Sequence, residues 1–252
     1  MLFRSTFVTA TDGNHGRAVA RFARIHGHTA EIFIPDGLTP SAIQSIRDEG
    51  ALVRVVGGSY DHAVDAASAA SNKPGHVLIQ DTAWSGYEEV PGWIVEGYTT
   101  LFREVDEQIT SGTVDLVLVP TGVGSLLQSC LHYYRSTHQD STRVVSVEPE
   151  SAACVPESLR AGHAVEVETS HTIMTGLNCG TLSMLAWPMV RDYLDGAVTV
   201  TDHDAAQAAR DLAAEGIDAG PCGGSGLAAA RAILTGPRAR QRRRHLQITA
   251  TS

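Results

Sequence analysis

A chain of 252 residues with 43% hydrophobic and 19% charged residues is long enough to bury one or two cores, and this composition excludes a disordered protein. No apolar stretch reaches the length of a membrane span, and residues 1–10 lack the features of a signal peptide, so we expect a cytoplasmic protein with no membrane partner. The net charge of -9 disfavours nucleic acid as a partner, and the four cysteines are spaced unlike a metal or redox motif, so we expect no metal.

The first third of the chain alternates short apolar strands with segments of helical spacing. Such alternation with short connections is typical of a parallel sheet covered by helices on both faces. We therefore predict a compact α/β unit of about 80 residues. Its strands are predicted over residues 7–10, 30–35, 51–56 and 76–79, and its helices over 16–26, 41–49 and 60–70.

A second set of alternating elements follows from residue 91. A long helix over 91–109 precedes an almost wholly apolar strand over 115–119, as expected at the centre of a parallel sheet. The loop chemistry changes near 81–92, so we expect a smaller domain over 1–85 and a larger domain over 86–252. The later elements are predicted as a helix through Tyr134, strands over 143–148 and 197–201, a helix over 204–215, a helix opened by the glycine-rich segment 220–226, and a final strand over 245–249.

A polar turn with two glycines joins the first predicted strand to the first helix. Asp12 and Asn14 lie where the free N–H groups of a helix N-terminus can hold an anionic or phenolic oxygen. The turn lacks the third glycine of a dinucleotide fingerprint, but Asp36 after the second strand leaves a nicotinamide-dependent dehydrogenase as a weaker alternative. An N-cap that only starts the helix is the simpler interpretation of Asn14.

A second glycine turn follows the apolar strand over 115–119. A phosphate needs several convergent backbone N–H donors with no side chain in the way, and a glycine turn at a helix N-terminus supplies them. Such turns also occur for packing reasons alone. The candidate phosphate ligands are Gly122, Val123, Gly124 and Ser125.

Several segments resemble one family in the same order along nearly the whole chain. They are similar to segments of fold type II (tryptophan synthase beta-like) pyridoxal-phosphate enzymes, and of the diaminopropionate ammonia-lyases in particular. The resemblance implies an α/β fold of two parallel-sheet α/β/α units. The matching segments are Ala-Thr-Asp-Gly-Asn-His-Gly-Arg at 10–17, Gln-Asp-Thr-Ala-Trp-Ser-Gly-Tyr at 80–87, Gly-Val-Gly at 122–124, Val-Glu-Pro at 147–149 and Ile-Met-Thr-Gly-Leu-Asn-Cys-Gly at 173–180.

The same resemblance implies pyridoxal 5'-phosphate as cofactor, a small amino acid as substrate and a homodimer. Asn14 would hydrogen-bond the 3-hydroxyl oxygen of the pyridoxal ring, and the glycine turn over 122–125 would hold the phosphate. Asp12 and Asp81 match the acid–base positions, and beside a helix N-terminus we expect Asp12 to stay ionised and act as a base. Thr249 is expected to take part of the role of the family's contact to the pyridine nitrogen.

The chain departs from the family pattern in its lysines. Family members bind the cofactor through a lysine upstream of the asparagine loop, and this chain contains one lysine, Lys73, in a polar loop. We expect that loop neither to lower the pKa of the lysine nor to place it beside Asn14. The sequence therefore predicts an enzyme that needs a separate N-terminal segment, or a non-catalytic remnant that retains a phosphate or cofactor site. Pro221 and Cys222 also differ from the family's glutamate–serine pair, which weakens any inference about the substrate.

A run of arginines near the end of the chain stands against the overall negative charge. We interpret it as a solvated helix end before the last strand, and a nucleic-acid or partner patch as the weaker alternative. The run consists of Arg238, Arg240, Arg242, Arg243 and Arg244.

Overall fold

The computed structural model describes residues 4–110, 112–137, 141–236 and 238–247. It divides into two compact units, Met1–Asp81 and Thr82–Ser252. None of the helices in the described ranges has both the length and the apolar run that crossing a bilayer requires.

The first unit alternates strand and helix throughout. The four strands form one parallel sheet in the order β3-β2-β1-β4. Its elements are β1 (Thr6–Ala10), α1 (Asn14–Ile25), β2 (Thr29–Ile34), α2 (Pro40–Asp48), β3 (Leu52–Val55), α3 (Tyr60–Ser71) and β4 (His76–Leu78).

Alternate residues of β2 face opposite sides of this sheet. Ile32 and Ile34 pack with α1 and α2, whereas Phe33 packs with α3. This two-residue period is what a strand buried on both faces requires. The predicted α/β arrangement of this unit, with helices on both faces of a parallel sheet, is confirmed.

The second unit contains a three-stranded parallel sheet in the order β5-β6-β7. Val145 and Val147 of the central strand pack on α8 and α9, whereas Val144 packs on the opposite face with α5 and α7. The elements of this unit are α4 (Glu89–Gln108), β5 (Leu116–Pro120), α5 (Ser125–Thr137), β6 (Arg143–Pro149), α6 (Cys154–Ala161), α7 (Ala186–Tyr193), β7 (Gly196–Val200), α8 (Asp202–Ala214), α9 (Pro221–Leu234) and α10 (Ala239–Leu246).

The prediction of a final strand over 245–249 is wrong at its start, because His245 and Leu246 complete the helix α10. Two arginines of this helix hydrogen-bond the end of α9: Arg242 Nη1 donates to the Ala232 carbonyl at 2.7 Å, and Arg243 Nη1 donates to the Leu234 carbonyl at 2.8 Å. These bonds favour helical backbone where the apolar pattern alone indicated a strand. Residues 248 and 249 lie outside the described ranges.

A partly buried carboxylate joins three elements of the second unit. Asp195 precedes β7, and its side chain is 14% exposed. It accepts hydrogen bonds from Arg135 Nη2 at 2.5 Å, from Arg143 Nη1 at 3.0 Å and from the Val144 N–H at 2.7 Å. The two arginines come from α5 and β6, so one side chain fixes the start of β7 to both.

Replacing Asp195 with alanine should destabilise the second unit by about 3 kcal/mol, because two partly buried guanidinium groups each lose one of their acceptors and the Val144 N–H loses its bond to the carboxylate. The free energy of unfolding in urea measures the loss. The matched control is Asp192→Ala, since Asp192 bonds only its exposed neighbour Arg191 among the contacts found. Equal stability of the two variants would contradict the structural role of Asp195.

Candidate active site

The turn between β1 and α1 is shaped by Thr11. This buried hydroxyl accepts hydrogen bonds from the N–H groups of Gly13 at 2.9 Å and Gly16 at 3.0 Å. A Cβ on Gly16 would lie 2.3 Å from the Thr11 Cγ2, so only glycine fits there. Thr11 therefore satisfies donors that the start of a helix leaves open.

Asn14 is the first residue of α1 and is exposed. The residue at the N-cap is Gly13, which makes no side-chain cap bond, so the interpretation of Asn14 as an N-cap is wrong. Its side chain makes no hydrogen bond to any part of the chain that the structure describes. The amide is therefore available to a ligand, and the capping role belongs to Thr11.

A buried glutamine connects the ends of β1 and β4. Gln80 Oε1 accepts from the Ala10 N–H at 2.8 Å and from the Thr9 hydroxyl at 2.9 Å. Its Nε2 donates to Asp81 Oδ1 at 2.9 Å and to the Tyr60 hydroxyl at 2.8 Å. Gln80 thereby fixes the position of the Asp81 carboxylate relative to the asparagine loop.

His15 makes a second connection across the same sheet edge. Its Nε2 lies 2.7 Å from the Ile79 carbonyl oxygen and 3.0 Å from the Thr9 hydroxyl. Both contacts join the start of α1 to the ends of β1 and β4. His15 therefore stabilises the position of the loop between β1 and α1.

Asp12 lies half-buried in the same loop, and its carboxyl interacts electrostatically with Asp81 and Asp61. Burial, followed by repulsion from these two carboxylates, raises the pKa of Asp12 to about 7. Near neutral pH the raised pKa disfavours the ionised form that the helix N-terminus led us to expect, and the role of Asp12 as a base stays a prediction. The N–H groups of Gly13 and Gly16, which could have stabilised an ionised Asp12, bond to Thr11 instead.

Sequence reasoning missed Tyr60 and the supporting role of Gln80. Tyr60 opens α3, and its hydroxyl donates to Asp81 Oδ1 at 3.3 Å, across 21 residues of sequence. Nothing local in the sequence indicates that contact. A polar residue directly after a strand was the available signal for Gln80, since buried amides at strand ends need several partners.

The glycine turn lies between β5 and α5 in the second unit. The Val123 carbonyl accepts from the Ser183 N–H at 2.7 Å, and the Thr121 N–H donates to the Val147 carbonyl at 2.8 Å. Within the described residues, the N–H groups of Gly122 and Gly124 and that of Val123 find no acceptor. Three such donors at the N-terminus of a 13-residue helix are an arrangement that can bind an anion.

Both glycines of this turn are required by packing. A Cβ on Gly122 would lie 2.9 Å from the Gly176 carbonyl oxygen and 3.2 Å from the Cys179 Sγ. Gly124 has φ +93°, and a Cβ there would lie 2.9 Å from Leu182. A larger residue at Gly124 would therefore strain the fold. If such a variant bound a ligand more weakly, the loss could not be attributed to the backbone N–H groups of the turn.

The remaining predicted site residues are Ser125 and Thr249. Ser125 is buried at the start of α5, next to the three donors. Thr249 lies outside the described residues, so its predicted contact to the pyridine ring stays a prediction. Among the side chains that the structure describes, no group of three or more His, Cys, Asp or Glu could hold a metal ion.

The single lysine lies at the opposite edge of the first sheet from the asparagine loop. Lys73 is exposed and precedes β4, which pairs in parallel with β1 so that His76 lies opposite Thr6. Asp12 and Asp81 follow the carboxyl ends of these two strands. The length of β1 alone therefore separates Lys73 from the loop by roughly 13 Å.

Comparison with known proteins relates this chain to a family of enzymes. The family model described as pyridoxal-phosphate dependent enzyme matches residues 4–243. Diaminopropionate ammonia-lyase of Salmonella typhimurium is 38% identical over 216 residues, covering 82% of this chain and 53% of that protein. L-threonine ammonia-lyase of Geobacter sulfurreducens is 28% identical over 201 residues, covering 80% of this chain and 48% of that protein. The chain thus spans about half the length of these curated relatives.

A solved structure of Escherichia coli diaminopropionate ammonia-lyase, in complex with an aminoacrylate-PLP azomethine reaction intermediate, matches this fold with a TM-score of 0.91. The two chains are 32% identical, and the match covers 98% of this chain and 65% of that chain. Threonine deaminase and serine racemase structures also match, so the predicted fold type II architecture is confirmed. On the family match over 4–243 and the sequence identity to its members, the chain belongs to the family of pyridoxal-phosphate dependent enzymes.

Proposed function

We propose that the protein of which this chain is part is a pyridoxal-phosphate-dependent carbon–nitrogen lyase that eliminates ammonia from a small diamino acid. The observation that carries the proposal is the pair Asp12 and Asp81, which follows the carboxyl ends of β1 and β4 beside an exposed Asn14. Elimination needs one group to remove a proton from carbon and another to protonate the departing amine. The similarity to diaminopropionate ammonia-lyases supports this substrate class.

The residues present fit the proposed cofactor. The three unpaired N–H groups of Gly122, Val123 and Gly124 would hold its phosphate, with Ser125 next to them. Asn14 would hydrogen-bond the phenolic oxygen of the ring, since its amide is exposed and can donate or accept. When bound, the cofactor supplies an electron sink for charge that develops on the substrate.

Proton transfer would fall to the two carboxylates. With its pKa raised to about 7, Asp12 can accept a proton and return it near neutral pH, which suits a general acid–base group. Asp81 is held by Gln80 and Tyr60, so its carboxylate keeps a fixed orientation. The different surroundings of the two groups allow different roles.

The alternative function, a non-catalytic remnant, is based on the position of Lys73, the only lysine in the sequence. Because Lys73 lies at the amino edge of the sheet, we propose that the lysine that binds the cofactor lies outside these 252 residues. A cytoplasmic homodimer is proposed from the family resemblance. Two exposed apolar side chains on α4, Trp93 and Leu101, supply surface for a second copy.

Placing a negative charge in the glycine turn should weaken cofactor binding. We expect Val123→Asp to bind pyridoxal phosphate at least about tenfold more weakly than the parent, because a carboxylate beside the N–H donors repels the phosphate. Equilibrium dialysis at fixed ionic strength, with inorganic phosphate as competitor, measures the change. The control is Val123→Asn, which has nearly the same shape without the charge. Equal affinities of the Asp and Asn variants would rule out this turn as the phosphate site.

The raised pKa of Asp12 predicts a pH-dependent stability. The folded pKa of about 7 lies above the ordinary value of 3.8, so the stabilising effect of the protonated form is complete at low pH and is lost as the pH rises towards 7. Between pH 5 and pH 8, Asp12→Asn should gain up to about 3 kcal/mol of stability relative to the parent, as measured by urea unfolding. Glu148, whose pKa burial also raises to about 7, stays in both proteins and cancels from the difference.

The control for this measurement is Asp65→Asn, at an exposed position on α3. Between pH 5 and pH 8, the stability difference from the parent should change more for Asp12→Asn than for this control. An equal or smaller change for Asp12→Asn would show that its carboxyl is not perturbed in the fold.

The proposed activity is tested by supplying the missing lysine. The chain alone should release almost no ammonia from diaminopropionate, and borohydride reduction with the cofactor should leave none attached to Lys73. Joining the lysine-bearing segment of a related lyase should restore release. In that complex, Asp12→Asn or Asp81→Asn should slow release by at least about 100-fold, while cofactor binding is retained. Full turnover by the chain alone, or cofactor attached to Lys73, would overturn the proposal.

A further inference from the structure

The second unit contains a cavity of about 700 Å³ that lies along β7. Residues 196–199 of β7 line it, together with parts of α6 and of α10. Its volume falls in the range of ligand pockets in proteins. We call this cavity the β7 groove. None of the residues assigned to the cofactor or to proton transfer lines it.

One side of the β7 groove is the outer edge of the last strand in the described sheet. The strand order places β7 last, and its inner edge pairs in parallel with β6 from Val145 opposite Gly196 to Pro149 opposite Val200. Across the described ranges, no backbone hydrogen bond reaches the outer edge of β7. Its sequence, Gly-Ala-Val-Thr-Val, contains neither the charges nor the proline that commonly protect an exposed edge. An extended chain could therefore pair with it.

The wall on the α10 side is positively charged. Arg238 and His245 both line the groove and are exposed, and neither side chain forms a hydrogen bond or ion pair with any residue that the structure describes. Residues 238–247 contain five arginines and no acidic residue, although the whole chain carries a net charge of -9. This wall therefore favours an acidic ligand.

The opposite wall, from α6 and the turn before it, is mixed in charge. Arg160 lines the groove and pairs with Glu157, and Glu150 also lines it. An acidic ligand would compete with Glu157 for the exposed Arg160 guanidinium. Acidic side chains would thus meet arginines from both walls: Arg160, which pairs with Glu157, and Arg238, for which the described residues supply no partner.

The α10 wall is anchored to the rest of the unit. Arg143 of β6 donates from Nε to the Leu246 carbonyl at 3.1 Å and from Nη2 to Gln247 Oε1 at 2.7 Å. On the other side, Arg242 and Arg243 bond to carbonyls of α9. These arginines hold the helix in place, which leaves Arg238 to contact a ligand.

We propose that the β7 groove binds an extended, acidic segment of another polypeptide, which adds a strand to the edge of β7. The backbone of the segment would pair with the open edge, and its carboxylates would bind Arg238 and Arg160. A small anion would satisfy the arginines but would leave the strand edge unpaired. The proposal does not depend on the lyase activity.

The ligand side of the proposal is tested with three labelled peptides. The acidic peptide acetyl-Glu-Val-Glu-Val-Glu-amide should bind the 252-residue chain in fluorescence anisotropy titrations and slow amide hydrogen exchange within 196–200. A version with alternate backbone nitrogens methylated keeps the charge but cannot pair along its length, and it should bind at least tenfold more weakly. The Lys-Val-Lys-Val-Lys version should not bind.

The protein side is tested with a matched pair of variants. Arg238→Glu should weaken binding of the acidic peptide at least tenfold, whereas Arg240→Glu, on the same helix but outside the groove, should weaken it less than threefold. Circular dichroism checks that both variants keep the fold. Equal binding of the methylated peptide would indicate a site for anions only. Equal effects of the two variants, or no binding of the acidic peptide, would also overturn the proposal.

Discussion

Every strand pairing described in this chain is parallel, and this constraint determines where its chemistry can lie. A parallel strand must be followed by a crossover, here usually a helix, so the turns after successive strands collect at one edge of each sheet. A helix that starts in such a turn leaves its first N–H groups without partners. Each unit therefore presents a set of polar groups at the carboxyl edge of its sheet.

The two units differ in what happens to the backbone N–H groups at the carboxyl edge of each sheet. In the first unit, Thr11 and Gln80 satisfy the backbone donors, and Asp12 is left half-buried beside other carboxylates. The cost appears as a raised pKa, which is also what an acid–base group at neutral pH requires. In the second unit, the glycines at 122 and 124 allow close packing, and the N–H donors of the turn find no acceptor among the described residues. In the proposed function, the first unit would supply the proton-transfer groups and the second unit would bind the phosphate.

Most of the fold could be predicted from the sequence because apolar periodicity and glycine turns are local signals. β1, β2, β5 and β6 lie within one or two residues of their predicted bounds. The helices α6 and α7 were not predicted, and α10 was in part taken for a strand. The conformation of α10 depends on arginine contacts to α9, which no local pattern contains.

The candidate site, like the fold, could be predicted only in part from the sequence. We identified the loops of the site from their residues and from the family resemblance, but the sequence did not predict the raised pKa of Asp12. It depends on burial and on the approach of Asp81, 69 positions further along the chain, and on Thr11 taking the donors that Asp12 was expected to use. Likewise, the contact of Tyr60 with Asp81 exists only because α3 and β4 pack together. Residue types can indicate a chemical group, whereas its pKa depends on the assembled fold.

The proposed cofactor site depends on the binding of the cofactor's phosphate by the glycine turn after β5. A crystal structure of the chain soaked with pyridoxal phosphate tests it most directly. We expect phosphate density within hydrogen-bond distance of the N–H groups of Gly122, Val123 and Gly124. Phosphate density only elsewhere, for example on Arg238 in the β7 groove, with the turn empty, would contradict it.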